Sequence, residues 1–136
     1  MPTLRLPANP ESLERLRTFV LDWVNQRGVS AQKRLEIDLV LEELLTNVIH
    51  YAYPDESGDL EVGYAMESSE CLCITLKDWG VSFNPLVCAK PEVYADVEDR
   101  KVGGLGIYLV RHIADRICYR RLEDSNVLEV SFDLDR

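Results

Sequence analysis

Basic charge is scarce in this chain. Fifteen lysines and arginines face 24 aspartates and glutamates over 136 residues, which leaves a formal net charge of −9. An acidic surface repels phosphate backbones and anionic lipid headgroups, so neither a nucleic acid nor a membrane is expected as a partner. A nucleotide phosphate would have to be held locally against that field, by backbone N–H groups and a divalent cation. Histidine is rarer still, with two copies, and the four cysteines, Cys71, Cys73, Cys88 and Cys118, form no C-x-x-C pair. Without paired His/Cys spacing there is no zinc signature. The cysteines read as reduced, mostly buried thiols, with Cys71 and Cys73 on one face of a strand. No apolar run approaches the roughly 20 residues of a membrane span. The N-terminus also lacks the basic start and long apolar core of a signal peptide, so the expected location is the cytoplasm.

What the chain does contain is ordinary for a folded domain: 46% hydrophobic and 29% charged residues. That composition and length predict a single domain over residues 1–136 with one core. Residues 3–7 read as a first strand. Asn9-Pro10-Glu11 then resembles a helix start, with Leu13, Leu16, Val20, Trp23 and Val24 at helical spacing up to Gly28. Ser30 is a second cap candidate, and Leu35, Ile37, Leu41, Leu44, Leu45, Val48 and Ala52 mark a long second helix. Residues 60–66 and 71–77 alternate as a hairpin, 84–102 read as a lid-like loop, and Gly103-Gly104-Leu105-Gly106 opens a third helix to about Asp115. Strands over 117–122 and 127–134 close the chain, with Glu123-Asp124-Ser125-Asn126 as their turn. This order predicts an α+β two-layer sandwich, with helices on one face of a mixed, mainly antiparallel sheet.

Three features could carry chemistry. Glu43 and Asn47 lie four residues apart and share a helix face, with His50 near it. An amide oxygen can ligate Mg²⁺ while a carboxylate polarises a hydroxyl or water, although the same pair also suits a solvated face. Asp78-Trp79-Gly80 follows a strand. A carboxylate there can accept from an adenine amino group, and Gly80 lets the backbone approach a base, although Asp-x-Gly is also a common turn. Gly103, Gly104 and Gly106 leave N–H groups unobstructed at a helix N-terminus, which suits an anion as well as a flexible loop. Arg100 and Lys101 stand just before them and either close over phosphates or stay solvated. The cluster is neither a Walker A loop, because Ile107-Tyr108 follow Gly106, nor a dinucleotide fingerprint.

In combination these segments resemble the histidine-kinase-like ATPase superfamily, whose members include gyrase and MutL. Within it the chain is similar to the anti-sigma-factor serine kinases of the RsbW type. Glu43-Leu44-Leu45-Thr46-Asn47-Val48-Ile49-His50 is close to that family's Glu-Ala-x-Thr-Asn-x-x-x-His helix. Asp78 through Pro85 is close to its Asp-x-Gly-x-Gly-Phe-Asp-Pro turn, with Ser82 in place of the second glycine and Asn84 in place of the aspartate. The resemblance implies a Bergerat-type ATP site. Asn47 would ligate Mg²⁺, Glu43 would be general base toward a partner's serine, and Asp78 would hold the adenine amino group with Gly80 beneath the ring. Gly103, Gly104 and Gly106 would line the phosphates, with Leu105 carried in the same loop. The resemblance also implies a STAS-type anti-anti-sigma protein and a sigma factor as partners, and a homodimer. Phosphorylation of the STAS partner is the activity expected, the alternative being ATP-gated sequestration of a partner without phosphotransfer. Many relatives carry Gly-Thr near the last hairpin, where this chain has Ser125-Asn126.

Overall fold

The structure, a computed structural model, describes residues 1–85 and 105–135. Strand β1 (Thr3–Pro7) leads through a 3-10 turn, Pro10–Ser12, into helix α1 (Leu13–Gln26) and then helix α2 (Ala31–Tyr51). Strands β2 (Asp59–Met66) and β3 (Cys71–Asp78) follow, then helix α3 (Leu105–Ile113) and strands β4 (Arg116–Leu122) and β5 (Ser125–Asp133). The sheet order is β1-β2-β3-β5-β4. Each pairing is antiparallel, so the expected sandwich forms with no parallel pair among the described strands. No helix among the described residues is long and apolar enough to cross a membrane.

Local chemistry explains the helix boundaries. The Asn9 side chain accepts from Ser12 N at 3.1 Å, and the Ser30 hydroxyl accepts from Lys33 N at 3.1 Å, each satisfying a first-turn N–H that the helix leaves open. Gly28 takes φ 72° after α1, a left-handed conformation that a Cβ would disfavour. Arg17 ties the two helices together through Nε and Nη2 to the Asp38 carboxylate, at 2.8 and 3.2 Å.

The core lies between α1, α2 and one face of the sheet. Leu16, Val20 and Val24 of α1 are fully buried, as are Ile37, Leu41, Leu44 and Leu45 of α2. Leu35 does not join them and is 53% exposed. It lies two residues before Ile37, about 200° around the helix, so it cannot share that stripe. From the sheet, β3 contributes Leu72, Ile74 and Leu76, and β5 contributes Leu128, Val130 and Phe132. These residues are direct partners: Leu72 opposite Phe132, Ile74 opposite Val130, Leu76 opposite Leu128. Opposed residues share a face and the strand period is two, so the next pair, Asp78 and Asn126, points to the helix side as well.

That pairing corrects the expected closing turn. The turn holds only Glu123 and Asp124, because Leu122 already pairs with Ser125. Glu123 absorbs the tight reversal at φ 55°. Ser125 and Asn126 are therefore buried members of β5 and not turn residues.

Candidate nucleotide site

Asn47 and Asp78, 31 positions apart, line one pocket. Leu44 and Val48 form its α2 wall, and Leu76 and Leu128 its sheet floor, with Phe83, Tyr119 and Asn126 completing it. Apolar walls with a few convergent polar groups are the usual construction of a small-molecule site. Glu43 does not line this pocket. It faces a groove between α2 and α3, beside Val40, Leu109 and Val110. The two compartments meet at a hydrogen bond from Asn47 Nδ2 to Glu43 Oε2, at 3.3 Å. His50, expected near the same face, is exposed and absent from both linings.

That bond settles how the Asn47 amide is turned. With its nitrogen on Glu43, its oxygen faces away. Asn47 is 1% exposed, and Oδ1 has no hydrogen-bond partner among the described residues. A buried amide oxygen without a partner costs about 1–3 kcal/mol, so it normally persists where something else occupies it. A hard cation is a fitting occupant, since Mg²⁺ prefers oxygen donors. The described residues contain no group of three or more His, Cys, Asp or Glu side chains able to hold a metal by themselves. A cation here would draw most of its ligands from phosphates and water, as Mg²⁺ does in nucleotide sites.

Asp78 is held from two directions. Its Oδ1 accepts from Gly80 N at 2.9 Å and from Asn126 Nδ2 at 2.8 Å. Burial pushes its carboxyl above the ordinary aspartate range, against the opposing pull of the Asn126 and Gly80 hydrogen bonds and the Arg121 charge. The turn that follows docks on the end of α2, where Val81 N donates to Ala52 O at 2.9 Å and satisfies a carbonyl near the helix end. Gly80 is required by that docking. A Cβ on it would stand 2.0 Å from Ala52 O, so the close approach is to the helix end.

Leu105 and Gly106 are the first two residues of α3. Both belong to the expected glycine opening of that helix. Arg100, Lys101, Gly103 and Gly104 lie outside the described residues. Sequence patterns missed Tyr119 and Arg121. Their strand presented itself only as a closing hairpin, and nothing in its spacing tied it to Asp78.

Comparisons with known proteins bear on the family and the fold. The family model described as histidine kinase-like ATPase domain matches residues 6–132. A serine-protein kinase RsbW from Listeria monocytogenes is 29% identical over 121 residues, covering 85% of this chain and 76% of the relative. The serine/threonine-protein kinase BtrW of Bordetella bronchiseptica is 24% identical over 103 residues, covering 75% and 72%. Among solved structures, the RsbU and RsbW domains of a Mycobacterium tuberculosis protein superpose with a TM-score of 0.67 at 13% identity. That match covers 98% of this chain and 33% of the larger one, and it bears on fold alone.

Proposed function

We propose a function from one premise: this chain belongs to the histidine kinase-like ATPase domain family. On this reading it is an ATP-dependent protein serine kinase that phosphorylates a STAS-type anti-anti-sigma protein and restrains a sigma factor. The names of the relatives support the kinase activity. The observation that carries the reading is the orphaned Asn47 oxygen, one hydrogen bond away from Glu43 and in the same pocket as Asp78.

The residues divide the work. Asp78 accepts the adenine amino hydrogen, with Gly80 N–H holding the carboxylate in place, and the apolar walls exclude water from the base. Asn47 Oδ1 holds the magnesium ion, which supplies neutralisation of phosphate charge when bound. Gly103, Gly104 and Gly106, with Leu105 between them, supply backbone N–H groups to the phosphates, and Arg100 and Lys101 add positive charge. Glu43 takes the proton from the partner's serine hydroxyl. As it does so, the serine oxygen bonds to the γ-phosphorus and the bond to the bridging oxygen breaks, releasing ADP.

The test is incubation of the protein with γ-labelled ATP, Mg²⁺ and a STAS-type protein from the same organism. Label on a serine of the STAS protein is expected. Tight ATP binding with no label on any STAS protein would overturn the kinase reading.

Asp78→Asn separates binding from stability. A carboxyl raised in the folded state stabilises the fold fully below its unfolded value, and this contribution is lost as pH rises through the folded value. At neutral pH the buried charge is thus a cost. The amide keeps the shape and both accepted bonds at Oδ1, so the variant should melt at or above the wild-type temperature at pH 7. That advantage should vanish as pH falls into the ordinary aspartate range. Mg-ATP affinity should drop about 10- to 100-fold, because an NH₂ group then meets the adenine amino group. Melting curves across pH and calorimetric titrations check both effects.

A further inference from the structure

We infer that Asn126 is a positioning residue that sets the purine preference of the pocket, by fixing which oxygen of Asp78 a base can meet. The inference rests on the nucleotide-site reading above. Asn126 stands on β5 directly opposite Asp78 on β3 and is 5% exposed. Its Nδ2 donates to Asp78 Oδ1 at 2.8 Å and to Val81 O at 2.8 Å. Its Oδ1 accepts from the Tyr119 hydroxyl at 2.5 Å, Arg121 Nη1 at 3.1 Å and Phe83 N at 3.4 Å. Both hydrogens of the amide are used and its oxygen is saturated.

The amide therefore has one workable orientation. Turning it over would set its NH₂ against the Arg121 guanidinium and the Phe83 N–H, neither of which can accept. It would also set its oxygen against the Asp78 carboxylate. Arg121 reinforces the arrangement by donating to Gly80 O at 2.9 Å, so β4 grips the turn and the asparagine together.

The consequence falls on Asp78. Oδ1 is filled by Gly80 N and Asn126 Nδ2, while Oδ2 accepts no hydrogen bond among the described residues. A base entering the pocket meets a single bare acceptor in a fixed place. That acceptor pairs with an exocyclic amino group and leaves a carbonyl at the same ring position unpaired. Sites built around one buried polar contact discriminate strongly for this reason. Without Asn126 the carboxylate keeps only its Gly80 anchor and can turn about its terminal bond, so neither oxygen is held where the amino group arrives, and the one contact that separates the two kinds of base weakens.

Mg-ATP and Mg-ITP differ at the base only by the amino-to-oxo exchange at that ring position and the ring proton that accompanies it. Dissociation constants for both should be measured on wild type and on Asn126→Leu. Wild type should prefer ATP by about 100-fold or more, and Asn126→Leu should reduce that preference below about tenfold. A general loosening of the fold weakens both nucleotides alike and leaves the ratio intact, so the ratio isolates positioning from mere structure. An Asn126→Leu protein with the wild-type ratio overturns the inference, as does a wild type that binds both nucleotides equally. A wild type that binds neither overturns the nucleotide-site reading itself, and the inference falls with it. If the leucine variant gives no cooperative melt, the double variant Tyr119→Phe with Arg121→Lys decides: a smaller ratio supports the inference, and an unchanged one overturns it.

Discussion

Glu43→Gln should slow phosphotransfer to the partner's serine by about 100- to 10,000-fold, while Mg-ATP binding stays within about threefold of wild type. The asymmetry follows from where Glu43 sits. Asn47 lines the base pocket, whereas Glu43 stands outside it on the α2–α3 groove. Removing its charge leaves the base and its walls untouched. Glutamine can still accept from Asn47 Nδ2 through its amide oxygen, so the 3.3 Å contact that turns the Asn47 oxygen outward is preserved. Only the capacity to take a proton is lost. Single-turnover transfer of labelled phosphate, alongside calorimetric titration with Mg-ATP, reads both quantities. A glutamine variant that transfers phosphate at the wild-type rate removes Glu43 from the role of base. Parallel losses in binding and transfer would mean that Glu43 serves chiefly to hold Asn47.

Gly80→Ala should be the most damaging small substitution among the described residues near the pocket. The new methyl would lie 2.0 Å from Ala52 O, 2.6 Å from Ala52 C and 2.8 Å from Ala52 Cβ. The two closest of these are backbone atoms at the end of a helix and cannot swing aside, so the turn itself has to move. Movement strains the Val81 N–Ala52 O bond and pulls Gly80 N from Asp78 Oδ1. Overpacking of this kind costs about 1–3 kcal/mol, a fall in Tm on the order of 10 °C at the upper end for a chain of this length. Nucleotide binding should fall with it, since Asp78 loses one of its two anchors. Gly28→Ala provides the contrast. Nothing lies within 4 Å of its Cβ, and the only penalty is the left-handed φ of 72°, about 1 kcal/mol. Melting both variants side by side separates steric exclusion from backbone conformation. Equal, small shifts would show that the Ala52 contact is not tight in solution.

Several parts of the fold were legible in the residues because they depend on neighbours along the chain. The Asn9 and Ser30 caps, the stop at Gly28 and the hairpin over Glu67-Ser68-Ser69-Glu70 each follow from chemistry within four residues. The same range placed Glu43 and Asn47 on one helix face, where the structure joins them by a hydrogen bond. Leu35 shows where that reading overreaches. An apolar residue can be assigned to a helix by its company, yet its side of the helix follows from its angular distance to the buried stripe. Ser125-Asn126 shows the opposite failure. Two polar residues after Glu-Asp read as more turn, whereas the register carried them into β5.

The residues alone determined that the chain would form helices packed on one face of a mainly antiparallel sheet, and that a carboxylate and an amide would share a face of the long helix. Local backbone preference and side-chain periodicity suffice for that. Tertiary structure decided that Asp78 meets Asn126 across 48 positions, that Tyr119 and Arg121 lock the pair, and that Gly80 sits hard against Ala52. Contacts of this sort depend on strand register and on the distance between a turn and a helix end. Both are outcomes of burying the whole core at once, and no short stretch of sequence encodes them.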